Sequence, residues 1–223
     1  YFYSNCDKTI RINVEFGLRD IKSGSIDIKK AICYFTLAAG QGHVESQYKL
    51  GEIYYLLDSP SDIYRAIHYF ELAANQGYLM SLYYLGIIYF VDSRVPCDIH
   101  KAIHYFTLAA KHNHVESLYD LGIIYEKGKY VPKDIKKAIS YFELAAKQGD
   151  VASQYHLALC YCFKSDNVPM NINKAIHYFS LAAKQNYERS FFWLGNIYFV
   201  GWYIEPDYNK AFYYLTQAAK NND

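Results

Sequence analysis

The stretch Asp98-Ile99-His100-Lys101-Ala102-Ile103-His104-Tyr105-Phe106-Thr107-Leu108-Ala109-Ala110 decides the fold of this chain, because it recurs along the sequence. Its copies share an acidic or amide residue at the start, a basic residue three places on, a tyrosine and a closing Ala-Ala pair. The six copies begin at Asp27, Asp62, Asp98, Asp134, Asn171 and Asp207. Consecutive starts lie 35 to 37 residues apart. Self-similarity at this period is typical of a solenoid built from repeated units.

Each copy has the pattern of a buried helix, which we call helix B. Ala102, Phe106 and Ala109 are spaced at i, i+4 and i+7, which places them on one helical face. Aspartate at the first position suits the N-cap, because its carboxylate accepts the unpaired amide hydrogens of the first turn. Three residues after the second alanine comes a residue that tolerates the left-handed conformation of a helix stop. These residues are Gly42, Gly77, Asn113, Gly149, Asn186 and Asn222.

A second helix, helix A, fills the rest of each period. Its five copies, with Ser, Leu and Tyr at i, i+4 and i+8, span residues 46–54, 81–89, 117–125, 153–161 and 190–198. Glycine follows the leucine in four copies, with Ala158 in the remaining one. Interior glycine costs a helix about 1 kcal/mol, so we expect it to allow close approach, with the Ala-Ala pairs of helix B as partners. All five prolines lie in the A-to-B connections, where they separate the two helices. The sequence therefore predicts an all-α solenoid of antiparallel helical hairpins.

The repeat sets the predicted domain boundaries. Residues 1–26 are expected to be an N-terminal segment with a degenerate first repeat helix, in which only Phe16-Gly17 resembles the Leu-Gly pair. Residues 27–223 are expected to form an array of about five full repeats with a period of about 36 residues. The last helix B, at residues 211–215, is as apolar as the internal copies. We therefore expect that the natural chain continues or that a partner covers this end.

Composition excludes several classes of function. The chain has 223 residues and a net charge of +1, with 23 basic and 22 acidic residues, so neither a polyanion nor an anionic membrane is indicated as partner. The apolar run at residues 78–91 is too short to cross a bilayer. The five cysteines have no framework spacing, and no Asn-x-Ser/Thr site or signal-like segment is present. These features predict reduced thiols and a cytoplasmic location.

No set of residues in the sequence predicts catalysis or a cofactor. His100 and His104 have a spacing that suits zinc, but no third ligand is placed to complete a site. Cys160 and Cys162 point in divergent directions on a helix and are interpreted as core residues. No phosphate-binding glycine loop, HExxH helix or nucleophile elbow occurs. We expect a protein that is not an enzyme and needs neither metal nor cofactor.

The two helix patterns together resemble a known repeat family. Helix A carries Tyr-x-Leu-Gly-x-x-Tyr, as in Tyr119–Tyr125, and helix B carries Asp-x-x-Lys-Ala-x-x-Tyr-x-x-x-Ala-Ala, as in residues 134–146. This combination resembles the Sel-one-like repeat, a relative of the tetratricopeptide repeat, over about residues 27–222. Ala158 for glycine and Asn171 for aspartate are departures from the pattern. The resemblance implies a right-handed superhelix whose concave side, lined by A helices, binds proteins or peptides.

One position of helix A stands out because its chemistry changes while its neighbours repeat. We call it the variable position: it lies between the tyrosine and the leucine and holds Lys49, Tyr84, Asp120, His156 and Trp193. A packing position would keep its residue type, so these residues are either indifferent surface or contacts to a partner. Exposed Tyr84 and Trp193 favour binding, since aromatic residues are enriched at interface hot spots. Glu52, one turn along the same face, would add a charge at the rim.

Three functions compete at this point. The leading hypothesis is an interaction scaffold that holds a segment of another protein, alone or in a larger complex, in its concave groove. A structural segment of a larger assembly, such as a cytoskeletal one, or of a multidomain protein kinase is the alternative, favoured by the apolar last helix. An RNA-binding solenoid is the third, but the mixed chemistry of the variable position and the balanced charge disfavour it.

Overall fold

The predicted all-α fold is confirmed by a computed structural model, which describes residues 28–57, 59–165, 168–201 and 203–220. The described residues form eleven helices and no strand beyond one isolated bridge between Ser165 and Val168. The chain divides into two compact units, one through His112 and one from Asn113. The predicted segment 1–26, the cap Asp27 and the stop Asn222 lie outside the described residues.

The helices alternate as the repeat predicts. In the first unit they are α1 (Ile28–Gly40), α2 (Val44–Leu56), α3 (Pro60–Asn75), α4 (Leu79–Val91) and α5 (Ile99–Ala110). In the second unit they are α6 (Val115–Lys127), α7 (Ile135–Lys147), α8 (Val151–Cys162), α9 (Ile172–Lys184), α10 (Glu188–Val200) and α11 (Tyr208–Lys220). The even-numbered helices are the A helices, and each packs most extensively against the B helix that follows it. The structure is therefore a series of helical hairpins.

The helix ends follow local side-chain chemistry, with one correction. Asp98, Asp134 and Asn171 cap α5, α7 and α9, each accepting a hydrogen bond from the backbone amide three residues on at about 3.0 Å. Asp62 was expected to cap α3 and does not. That helix begins at Pro60 with Ser59 as its N-cap, because proline suits the first helical position and serine the position before it. The five predicted stops that are described all have positive φ: Gly42, Gly77, Asn113, Gly149 and Asn186.

The helix A glycines face a different partner from the one expected. A Cβ atom at Gly51, Gly86 or Gly122 would overlap the ring of a phenylalanine in the following B helix, not an Ala-Ala pair. The rings are Phe70, Phe106 and Phe142, all fully buried. In the last hairpin Leu215 occupies the same place beside Gly195. Gly51, Gly86 and Gly122 leave room for a flat ring, much larger than alanine, between the two helices of their hairpins.

A tyrosine pair joins the two helices of every described hairpin. The tyrosine that closes the Ser-Leu-Tyr pattern of helix A stacks on the repeat tyrosine of helix B, with centroids 5.7 to 6.1 Å apart and ring planes within 14°. The basic residue of helix B lies over the helix A ring, 4.0 to 5.5 Å from its centroid. The helix A rings are Tyr54, Tyr89, Tyr125, Tyr161 and Tyr198. This cation–π and stacking unit explains why the basic residue and the tyrosine of helix B repeat together.

Two of the cysteines lie in the helical core of the second unit. Cys160 and Cys162 are buried, as interpreted from the sequence, and burial raises the pKa of their thiols to about 12 and about 11. Thiols with raised pKa values are poor nucleophiles. Within the described ranges, no helix is both long and apolar enough to cross a membrane.

Arg94 provides a first stability prediction. Its guanidinium donates hydrogen bonds to the carbonyl oxygens of Tyr55 (3.1 Å) and Leu57 (2.8 Å) and to the Asp92 carboxylate (2.7 Å). Arg94→Ala leaves these half-buried acceptors unpaired, so we expect the free energy of unfolding to fall by about 1–3 kcal/mol in urea denaturation. Arg94→Lys keeps the charge but not the forked geometry and should recover little of this loss. The exposed Lys147→Ala variant is the control; an equal loss there would contradict the assignment.

Candidate protein-binding face

The variable position lies half-buried on its helix in every repeat, so Tyr84 and Trp193 are less exposed than the sequence suggested. The reason is the neighbouring phenylalanine. Tyr84 stacks on Phe70 with ring centroids 5.0 Å apart and planes 9° apart. His156 and Trp193 stack in the same way on the rings of the second unit, Phe142 and Phe179, at 5.4 and 6.0 Å. In three repeats the variable residue therefore covers the buried ring of the hairpin before it.

In the first unit, Lys49 and Glu52 are brought together. The Lys49 ammonium donates to the Glu52 carboxylate at 2.6 Å, and the other oxygen of Glu52 accepts the Tyr48 hydroxyl hydrogen at 2.6 Å. Both charges of this pair are thus satisfied on the same helix. Tyr84 lies nearby, with its ring 6.0 Å from that of Tyr48 and 5.6 Å from that of Tyr55. The result is a small aromatic surface with a neutralised ion pair beside it.

In the second unit, His156 and Trp193 also have partners. His156 Nδ1 lies 3.2 Å from the Glu126 carboxylate, and the ring of Tyr119 contacts the histidine edge-on at 5.7 Å. Trp193 Nε1 donates to the Tyr155 hydroxyl at 3.1 Å. These hydrogen bonds fix the orientation of both rings before any ligand arrives.

Asp120 differs from the other members of the set. Its Oδ2 is buried and accepts no hydrogen bond from any residue that the structure describes. Burial, with a smaller contribution from Glu116 one turn away, raises the pKa of the Asp120 carboxyl to about 7. Lys49 and His156 have ion-pair partners and Trp193 a hydrogen-bond acceptor, but Asp120 has neither among the described residues. Asp120 is the only carboxylate at the variable position, and no cationic side chain among the described residues pairs with it.

An apolar cavity lies beside Trp193. It has a volume of about 250 Å³ and is lined by Tyr155, Glu188, Arg189, Phe192, Trp193 and Ala218. Phe192 is 53% exposed and meets the Trp193 ring edge-on. Phe192 was not among the residues predicted from the sequence, although it stands where the other four A helices carry a tyrosine. That substitution beside a tryptophan was the signal available in the sequence.

His100 and His104, whose spacing suits zinc, lie on α5. Within the described ranges, no group of three or more histidine, cysteine or acidic side chains is placed to hold a metal ion. His100 and His104 are both exposed on α5, and His104 contacts the neighbouring Tyr105 ring.

A family model for the Sel1 repeat matches six consecutive segments, which cover most of the sequence: residues 15–43, 44–78, 79–114, 115–150, 151–187 and 192–223. The chain belongs to the Sel1 repeat family. Proteins built from Sel1 repeats generally mediate protein–protein interactions and are generally non-catalytic.

Solved Sel1 repeat structures have the same fold. The protective antigen c5321 of uropathogenic Escherichia coli, which displays an SLR fold, is 26% identical over 95% of this chain, with a TM-score of 0.83. This chain spans 46% of the length of c5321. The Sel1 repeat protein of Oxalobacter formigenes is 26% identical over 94% of this chain and 85% of its own, with a TM-score of 0.73. No curated protein matches the chain.

Proposed function

We propose that this Sel1 repeat chain is a non-catalytic scaffold that binds a segment of another protein in a concave groove lined by its A helices. One observation carries the proposal: a fixed frame of hairpins presents a different chemical group at the same position of each repeat. That group is a paired lysine, a stacked tyrosine, an unpaired aspartate, a paired histidine or a stacked tryptophan. A frame with changing side chains at one register position suits recognition of a partner sequence.

The geometry of the rings supports binding by a prepared surface. Tyr84, His156 and Trp193 are already held by stacking on buried phenylalanines, so little side-chain freedom remains to be lost on association. Half-buried aromatic side chains that keep one accessible face are typical of interface anchors. In the second unit the exposed Phe192 and the cavity beside Trp193 extend this surface.

Two other functions are weaker. The Asp120 carboxylate, with Glu116 one turn away, would repel a phosphate backbone, which disfavours RNA on the A helices of the second unit. A structural role in a larger assembly is the second candidate. It is favoured by exposed aromatic side chains on α11, where Phe212 is 76% and Tyr213 is 55% exposed. The cytoplasmic location stays a prediction.

The test is a selection of peptides from a displayed random library on the immobilised full chain. We expect wild type to enrich peptides with a shared sequence pattern and Phe192→Ser, on the A-helix face, to lose them. Phe212→Ser is the matched control, because it removes an exposed phenylalanine from a B helix, and it should select the same peptides. Circular dichroism would establish that both variants keep their helicity. No enrichment by wild type contradicts the proposal, and loss only in Phe212→Ser would favour the α11 surface.

A further inference from the structure

The A helices of the second unit carry a carboxylate on α6 and an apolar cavity on α10, two repeats apart. Asp120 on α6 is a partly buried carboxylate with no cation among the described residues, and Glu116, 63% exposed, adds a second negative charge one turn away. On α10, two repeats further along, the cavity of about 250 Å³ beside Trp193 has the rings of Tyr155, Phe192 and Trp193 among its six lining residues. Between them on α8, His156 Nδ1 lies 3.2 Å from the Glu126 carboxylate.

We propose that the partner segment carries a lysine or arginine that pairs with Asp120 and an apolar side chain that fills the Trp193 cavity. This inference rests on the proposed function and specifies the chemistry of its partner. The occupant is a peptide segment of another protein, in an extended conformation along α6, α8 and α10.

Charge complementarity carries the first half of the proposal. A buried carboxylate is destabilised in the free protein, and an incoming ammonium or guanidinium removes that penalty while it forms a charge-assisted hydrogen bond. Lys49 and His156 differ from Asp120 because each already has a carboxylate partner, at 2.6 and 3.2 Å. A bound cation would also lie near Glu116, whose carboxylate is 3.4 Å from His114 Nε2, and burial lowers the pKa of that imidazole, which favours its neutral form.

The second claim, that an apolar side chain of the partner fills the Trp193 cavity, rests on the size of the cavity and on its distance from Asp120. The cavity beside Trp193 has room for one apolar side chain, and the aromatic walls gain from its desolvation. Helices packed about 10 Å apart place α6 and α10 roughly 20 Å from each other. An extended peptide spans that distance in about six residues. The basic and apolar residues of the partner should therefore lie about six positions apart.

The peptide selection tests this directly, since the enriched peptides should share a basic and an apolar residue at that spacing. A synthetic peptide of the selected sequence is then compared with one in which norleucine, uncharged and similar in length, replaces the lysine. We expect norleucine to weaken binding to the wild-type chain about tenfold. With Asp120→Asn, the same replacement should change the affinity less than about twofold.

The outcomes separate this inference from the proposed function. Enriched peptides that lack a basic residue, or an equal effect of norleucine on wild type and Asp120→Asn, would overturn the inference and leave the scaffold function standing. No enrichment over the Phe192→Ser variant would overturn the scaffold function itself. Circular dichroism of Asp120→Asn verifies that the comparison is made on folded protein.

Discussion

Replacing Phe142 by alanine is expected to lower the free energy of unfolding by about 3–5 kcal/mol, because a fully buried ring is lost and a cavity remains. The ring fills the gap left by Gly122 on α6 and supports two rings of the A helices, Tyr119 at 6.1 Å and His156 at 5.4 Å. Neither neighbour carries a side chain that can occupy the vacated space without leaving its own partners. Urea denaturation followed by circular dichroism measures the change.

Gly122→Ala tests whether residue 122 must be glycine to accommodate the Phe142 ring. In the wild-type background, Gly122→Ala should destabilise the chain by about 1–3 kcal/mol, because its Cβ would overlap Phe142. In the Phe142→Ala background, the same Gly122→Ala should stabilise by about 1 kcal/mol, because the space is open and alanine favours the helix. Phe212→Ala, at an exposed position, is the control for loss of a phenylalanine. A Gly122→Ala effect of the same sign in both backgrounds would contradict the packing.

Asp120→Asn is expected to stabilise the chain by about 2 kcal/mol at pH 8 and to have little effect near pH 4. Burial raises the pKa of the folded-state carboxyl from 3.8 to about 7. Below the unfolded-state pKa the group is protonated in both states and costs nothing. As the pH rises towards 7, the unfolded state ionises first, so wild-type stability falls. Asparagine removes this charge, although its buried amide keeps part of the desolvation cost.

Urea denaturation of both proteins at pH 4 and pH 8 gives the difference, with effects of other titrating groups cancelling in the comparison. Glu116→Gln is the control, because its largely exposed carboxylate should change the stability by less than about 0.5 kcal/mol. If the stability difference between Asp120→Asn and wild type did not grow with pH, the pKa of the Asp120 carboxyl would not be raised in the folded state. If Asp120→Asn stabilises the chain and also no longer selects peptides that contain lysine, Asp120 contributes to binding and lowers the stability of the fold.

The sequence was sufficient for features that depend on one helix alone. The period, the helix B caps at Asp98, Asp134 and Asn171, and the described stops follow from local backbone and side-chain chemistry, and all are found. The prediction of Asp62 as a cap was wrong for a local reason, because the helix starts earlier, with Ser59 as its N-cap and Pro60 as its first residue.

Contacts between helices were harder to predict. The glycines were assigned to Ala-Ala pairs, but three of them face phenylalanine rings and Gly195 faces Leu215, since spacing alone does not say which part of helix B lies opposite. Tyr84 and Trp193 were expected to be exposed, yet each covers the ring of the preceding hairpin. Likewise, only the neighbouring repeat reveals that His156 has a carboxylate partner and Asp120 no cation. The candidate residues could be read from the sequence, but their pairing required the tertiary structure.

The most direct test of the account is an NMR titration of the ¹⁵N-labelled chain with a selected peptide. Binding along the A helices predicts chemical-shift changes at Asp120, His156 and the Trp193 indole N–H, with the B helices α7 and α9 largely unaffected. Changes confined to B helices, with the Trp193 indole signal unmoved at saturation, would contradict it.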